Sequence, residues 1–196
     1  IGDDLGRAGQ LRNVPTVNMN KIPNHTALKE WASVIDALGT GAQIVLIRKG
    51  GLADASFGVE AQRFYLFPTN YHDAGGSEPT TVRITHWAEV VKTWQIRDAA
   101  MLPRLEALTI LDPASIETRY RFRPDQAINV IAVRAHRLAK PAGVVMKPEY
   151  SGCRSWVSID EEIDIDGSVA ALRDDALYAQ IDAIDTLLAE PVPAWN

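Results

Sequence analysis

Residues 149–156, Glu149-Tyr-Ser-Gly-Cys-Arg-Ser-Trp156, bring a carboxylate, a phenol, a thiol, a guanidinium, a hydroxyl and an indole into one turn. Few demands of core building require that mixture, so Glu149, Tyr150, Cys153, Arg154 and Trp156 are candidate site residues. Cys153 serves as a nucleophile where a histidine lowers its pKa, and is otherwise a small buried hydrophobe. A second group is Arg48-Lys49-Gly50-Gly51, two cations beside a permissive backbone, which suits a phosphate or equally a solvated strand end. On a strand, alternation sends Arg48 and Lys49 to opposite faces.

Arg134 and His136 share one strand face inside an otherwise apolar run. A buried arginine needs an anionic partner, and Glu30, Glu60, Glu89 and Glu149 are the candidates. Arg119, Arg121 and Arg123 lie two apart and form a cationic row if that segment is extended, able to track phosphates or to pair with acidic residues. These groups give two sets of roles. Lys29, Arg48, Lys49, Arg123, Arg134 and Arg154 would hold phosphate, with Tyr150 and Trp156 stacking on a base; Glu30, Glu149 or His86 would act as general base.

Other chemistries lack their motifs. The chain has no Walker-type phosphate loop, Gly-x-Gly-x-x-Gly, Gly-x-Ser-x-Gly elbow or paired histidines at metal spacing. His25, His72, His86 and His136 are far apart, so a metal site would have to be assembled by the fold, and no metal or cofactor is assigned. Nudix enzymes also place basic residues before a strand and a proline, but nothing after Pro68 supplies their Arg-Glu and Glu-Glu helix. Pro124-Asp125 starts a PD-(D/E)xK pattern that the next strand does not complete.

The elements that must position these groups read as follows. Residues 1–25 have no sustained period and are expected to form a flexible arm, with Met19 a natural start preceded by an extension. Trp31–Leu38 and Gln43–Arg48 flank Gly39-Thr-Gly41 and are expected to form a β-hairpin, with a helix over Ala27–Leu38 as the alternative. Strands are expected at Arg63–Phe67, stopped by Pro68, at Val82–Ile96 with a bend near His86, at Ile128–Leu138 as the central strand, and at Ser155–Ile159. Ala99–Leu111 reads as a helix, Asp112-Pro113 as the opening of another, and Pro141–Pro148 as a connector. Ser168–Leu188 carries apolar residues at steps of three to five and is expected to be an amphipathic helix packed on the sheet. The sum is an α+β (or α/β) fold: a single domain over residues 26–196 with a mixed β-sheet of five or more strands covered by the C-terminal helix.

Composition agrees with a folded, water-soluble chain: 46% hydrophobic and 23% charged over 196 residues. No stretch approaches the roughly 20 apolar residues that span a bilayer, and the single cysteine allows no intrachain disulfide; a cytoplasmic location is expected. The net charge of −5 is unevenly spread. Residues 152–196 carry two basic and ten acidic side chains, whereas 26–151 carry fifteen and thirteen, so a slightly basic body bears an acidic C-terminal segment.

Lys29-Glu-Trp31, Leu46-Ile-Arg-Lys-Gly-Gly51, Leu66-Phe-Pro-Thr69, His86-Trp-Ala88 and Tyr150-Ser-Gly-Cys-Arg-Ser-Trp156 together resemble a bacterial family known as domain of unknown function 1802, from about Ala27 to Ile159. The resemblance implies a bacterial cytoplasmic protein and carries no activity. From the residues themselves, the expectation is a module that binds a phosphate-bearing small molecule or nucleic acid. A hydrolase acting on such a ligand and an assembly protein are the alternatives, and homo-oligomerisation stays open. The candidate groups are expected to converge: Arg48 or Lys49, His86, Arg134 and the 149–156 turn around one cavity.

Overall fold

A computed structural model describes residues 21–49, 61–69 and 79–190. Met19, His72 and the Gly50-Gly51 pair lie outside them. The described residues form seven strands, β1 (Thr26–Trp31), β2 (Val45–Arg48), β3 (Arg63–Thr69), β4 (Thr81–Ile96), β5 (Ile128–Val145), β6 (Trp156–Ser158) and β7 (Val169–Ala170). Among the described residues four α-helices accompany them: α1 (Ala32–Thr40), α2 (Leu102–Glu106), α3 (Pro113–Arg121) and α4 (Asp174–Ala189). The strands make one mixed sheet in the order β2-β5-β4-β3-β1-β6, with β7 beside β5; only β1 and β3 run parallel. This is a single α+β domain.

The expected hairpin is a helix followed by a strand. Val34, Ile35, Ala37 and Leu38 are buried, a spacing that fits a helical stripe and breaks the two-residue alternation a hairpin needs. Gly41 ends the helix at φ 74°, in the left-handed region, with its N–H on the Leu38 carbonyl. β1 and β2 then go to different partners, β3 and β5.

Elsewhere the differences are of extent. β5 continues through the expected 141–148 connector to Val145, because its Thr81–Ile84 partner on β4 is equally long. The bend foreseen near His86 is a register shift between Ile84 and His86. Pro68 does not stop β3: β4 pairs with β3 only over Arg63–Tyr65, so the missing N–H falls where β3 has only β1 beside it. The helix expected over 99–111 is a 3-10 turn at Ala99–Met101 followed by α2. Asp112 caps α3 by accepting from the Ser115 N–H, with Pro113 in the first turn. α3 runs to Arg121 and Arg123 follows it at φ 50°, so the 119–123 segment is not one extended run and its arginines do not form a row. The C-terminal helix begins at Asp174, six residues later than expected, because Val169 and Ala170 pair with β5.

Alternation sorts the strand residues into two cores. Ala27, Tyr65 and Trp87 are paired neighbours on one face, and Leu28, Leu66, Phe64 and Ala88 belong to the other. The sheet is strongly curled. β1 and β2 are four ladder positions apart, roughly 19 Å if flat at ~4.8 Å per step, yet Arg48 on β2 reaches Glu30 on β1 at 3.0 Å. The Leu28 face is therefore concave, and α1 fills it. Leu177, Ile181 and Ile184 of α4 join the same core. At the other end, Ile22 is buried with Tyr150, Val157, Ile159, Ile163 and Ile165 in the second core, so residues 21–25 dock on the domain. None of the helices described is long and apolar enough to cross a membrane.

Candidate functional site

Glu30 sits near the end of β1, and its side chain is 1% exposed. One carboxylate oxygen accepts from Arg48 Nη1 at 3.0 Å; the other accepts from the Trp31 N–H at 2.9 Å and lies 3.6 Å from Arg119 Nη2. Arg119 also donates to the Ile47 carbonyl at 2.5 Å, and its guanidinium lies over the Trp31 ring, 5.0 Å from the centroid. The two arginine side chains are 13% and 19% exposed. Burial pulls the Arg119 pKa down from its ordinary value, with Glu30 opposing. Three donors converge on the Glu30 carboxylate, so it holds the arginines and is poorly placed to act as the general base expected of it.

Beside this cluster Lys49, also buried, donates to the Tyr120 carbonyl and lies over the Tyr120 ring at 4.9 Å. Burial lowers its pKa, with Asp125 opposing. Arg123 follows α3 at φ 50°, with its guanidinium 4.9 Å from the Phe122 ring. β1, β2 and α3 thus bring Glu30, Arg48, Arg119 and Lys49 to one corner of the curled sheet.

The other candidates lie elsewhere. Lys29 follows β1's alternation onto the convex face, where its Nζ donates to the carbonyls of Tyr150 at 2.6 Å and Gly152 at 2.7 Å. It pins the 149–156 turn instead of facing a ligand. Tyr150 is buried, its hydroxyl accepting from the Asp160 N–H at 3.0 Å, while Glu149, Cys153 and Arg154 are exposed. Trp156 packs edge-on against Phe64, with centroids 5.1 Å apart. His86 is buried against Gly39, its Nδ1 2.8 Å from Thr85 Oγ1, and burial holds its pKa below the ordinary value.

Arg134 and His136 do share a face, opposite Glu89 and Trp87. Glu89 Oε1 lies 3.4 Å from Arg134 Nε and 3.7 Å from His136 Nε2, and Glu89 Oε2 lies 3.5 Å from Arg63 Nε. Arg134 also pairs with Asp174 at the start of α4, and the His136 ring stacks on Trp87 at 4.0 Å. Arg134 borders a small, largely apolar cleft with Leu38, Ile44, Val133 and Leu177. The expected single constellation is thus divided among a concave arginine corner, a convex Glu89 cluster and a pinned turn. Among the described residues, no three His, Cys, Asp or Glu side chains gather to hold a metal ion.

Two features are only partly legible in the sequence. Glu89 is one of four candidate partners for Arg134, and nothing local singles it out. Arg119 was read as part of a row, although the Asp112-Pro113 cap, carried forward nine residues, puts it on a helix and separates it from Arg121.

The family described as "Domain of unknown function (DUF1802)" matches residues 27–183. No curated protein matches the chain. Among solved structures, the ASCH protein from Zymomonas mobilis is 10% identical, with 80% of this chain and 93% of that chain covered and a TM-score of 0.45. A serine-to-alanine mutant of the same protein is 10% identical over 83% of this chain and 98% of that chain, with a TM-score of 0.46. A likeness of this degree carries nothing about activity.

Proposed function

The chain belongs to the family of domain of unknown function 1802, whose description assigns no activity, and from the arginine corner itself we propose that the protein binds a phosphate-bearing ligand, a nucleotide or nucleic acid, at Arg48 and Arg119. One observation carries this reading: two recessed guanidiniums, from β2 and α3, are set side by side by one buried carboxylate at the same corner of the sheet. Lys49 adds a further cation nearby. Guanidinium is the side chain best matched to phosphate, through paired, charge-assisted donors, and partial burial strengthens each such bond. Glu30 presets the two forks, so little ordering is left for binding to pay.

A thermal-shift titration with inorganic phosphate and with a nucleoside 5′-monophosphate tests it. Both should raise the melting temperature of the full chain, and the shift should disappear in Arg48→Ala. Arg119→Lys keeps the charge but not the fork and should weaken the shift if Arg48→Ala does not fold. A wild type indifferent to both ligands refutes the reading. It would favour the assembly alternative, in which the cluster only ties β1, β2 and α3 together.

A further inference from the structure

We propose a second surface, separate from the arginine corner: the outer half of the two-stranded β4–β5 ribbon holds the phosphate backbone of a nucleic-acid duplex, through Arg83, Arg137 and Lys140, without reading its bases. Thr81–Ile84 and Ala142–Val145 pair only with each other, because β3 follows β4 no further than Trp87 and β7 meets β5 only at His136 and Arg137. One face of this ribbon is committed, with Val82, Ile84 and Val144 buried in the second core. Alternation turns Thr81, Arg83, Gly143 and Val145 the other way, and all four are exposed. The register shift at Thr85 keeps that face continuous: Ile84 and Trp87 both belong to the second core, so Arg83 and His86 both point away from it. His86 is buried against Gly39 of α1, while Arg137, its partner across the ladder and so on the same face, is exposed. Opposite Thr85, β5 runs through Leu138–Pro141. Leu138 anchors this protrusion in the second core, and Ala139, Lys140 and Pro141 are exposed.

The charge on this face is uncommitted. Lys92, Arg134 and Lys147 each meet a carboxylate, whereas Arg83, Arg137 and Lys140 have no hydrogen bond or ion pair with any described residue. Asp36 of α1 lies near His86, as Arg137 does, but the two form no ion pair. Arg83 stands about 10 Å along β4 from the His86–Arg137 pair, a spacing that serves separate phosphates of one backbone better than a single small anion. Guanidinium is also the side chain best matched to phosphate. Nothing here reads a base: Thr81–Thr85 and Arg137–Val145 contain no aromatic residue, Asn or Gln apart from the buried His86. A face without a stacking platform suits a duplex, whose bases are already stacked and whose phosphates face outward. A protein partner fits less well. Val145, 57% exposed, is the one large apolar side chain the face offers, where a protein interface needs an apolar centre. Glu161, which accepts the Val145 N–H at 3.2 Å, marks the end of the cationic stretch.

Fluorescence anisotropy of the full chain with a labelled, mixed-sequence DNA duplex at several salt concentrations tests the proposal. With three phosphate contacts, log affinity should fall against log salt with a slope of about −2.7, and Arg83→Ala, Arg137→Ala and Lys140→Ala should each remove about 0.9 of it. Changing the duplex sequence should alter affinity by less than about threefold. The three side chains are exposed and unpaired, so the variants should melt with the wild type; if one does not fold, the other two still report the slope. Absence of duplex binding, an unchanged slope in the variants, or a preference of about tenfold for one sequence or for the single strand overturns the proposal. Self-association that the variants abolish, without DNA binding, also overturns it and assigns the face to a second copy of the chain. The rise in melting temperature with inorganic phosphate should persist in Arg83→Ala and Arg137→Ala. If the wild type lacks that rise while the slopes behave as stated, the arginine-corner reading falls and this one stands; the rise without duplex binding overturns this one alone.

Discussion

Two clusters in this protein have the same core composition, one glutamate between two arginines, and opposite characters. Glu30 holds Arg48 and Arg119 on the concave face; Glu89 holds Arg63 and Arg134 on the convex face. The Glu30 side chain is 1% exposed, whereas that of Glu89 is 30% exposed. Water screens the second group and not the first, so the same ions interact far more strongly at Glu30, and each would cost more to leave unpaired. The partners differ as well: Asp174 joins Arg134 beside Glu89, with His136 alongside, whereas Arg119 lies over the Trp31 ring beside Glu30. One cluster is a strut on which α4 begins, and the other is the one proposed to receive an anion.

The largest effect should separate the two directly. Glu30→Gln leaves two recessed guanidiniums facing a neutral amide and should cost about 3–5 kcal/mol, against below about 1 kcal/mol for Glu89→Gln. Urea denaturation of both variants measures this, and equal losses would mean that burial is not what distinguishes the clusters. Next comes the apolar side of α4, which delivers Asp174 to Arg134. Leu177 is 1% exposed, and Leu177→Ala should cost roughly 2–5 kcal/mol. A negligible loss in a folded monomer would show that α4 is held by its ions and not by its core face.

A smaller loss is expected on the concave side at Gly39. A β-carbon there would stand 2.4 Å from His86 Nε2, so Gly39→Ala must push the imidazole out of its packed position, at about 1–3 kcal/mol. A fully stable variant would mean that His86 moves freely, which its burial argues against.

The smallest effect is a pH dependence of stability to which His136 of the convex cluster should contribute. Burial lowers the His136 pKa below its ordinary 6.5, with Glu89 opposing, so the folded protein binds fewer protons than the unfolded chain just below that value. Stability from this group is therefore complete above pH 6.5 and falls as the pH drops through the depressed folded value. His86, lowered mainly by burial, acts in the same direction. The melting temperature at pH 5.5 should lie below that at pH 7.5, and His136→Gln should reduce the difference. An unchanged difference in that variant would assign the effect to other groups.

Much of the scaffold was legible in the residues. Val82–Ile96 is rich enough in Thr, Val, Trp and Ile to read as a strand and Ile128–Leu138 apolar enough to read as a central one, Asp112-Pro113 announces the start of α3, and Leu177, Ile181 and Ile184 mark the buried stripe of α4. These signals are local: a propensity, a cap or a period is complete within a few residues. The α1 segment was ambiguous because a short run of apolar residues before a glycine-rich turn supports either a helix or a hairpin until its partner strands are known. Which charges would meet could not be read at all. Arg48 and Arg119 reach Glu30 from 18 and 89 residues away, and only the curl of the sheet, which folds a flat separation of roughly 19 Å into an ion pair at 3.0 Å, brings β2 and α3 to the end of β1. The residue types decided that such an arginine must find a carboxylate, because an unpaired buried charge is too costly; the tertiary structure decided which carboxylate, and how far from water.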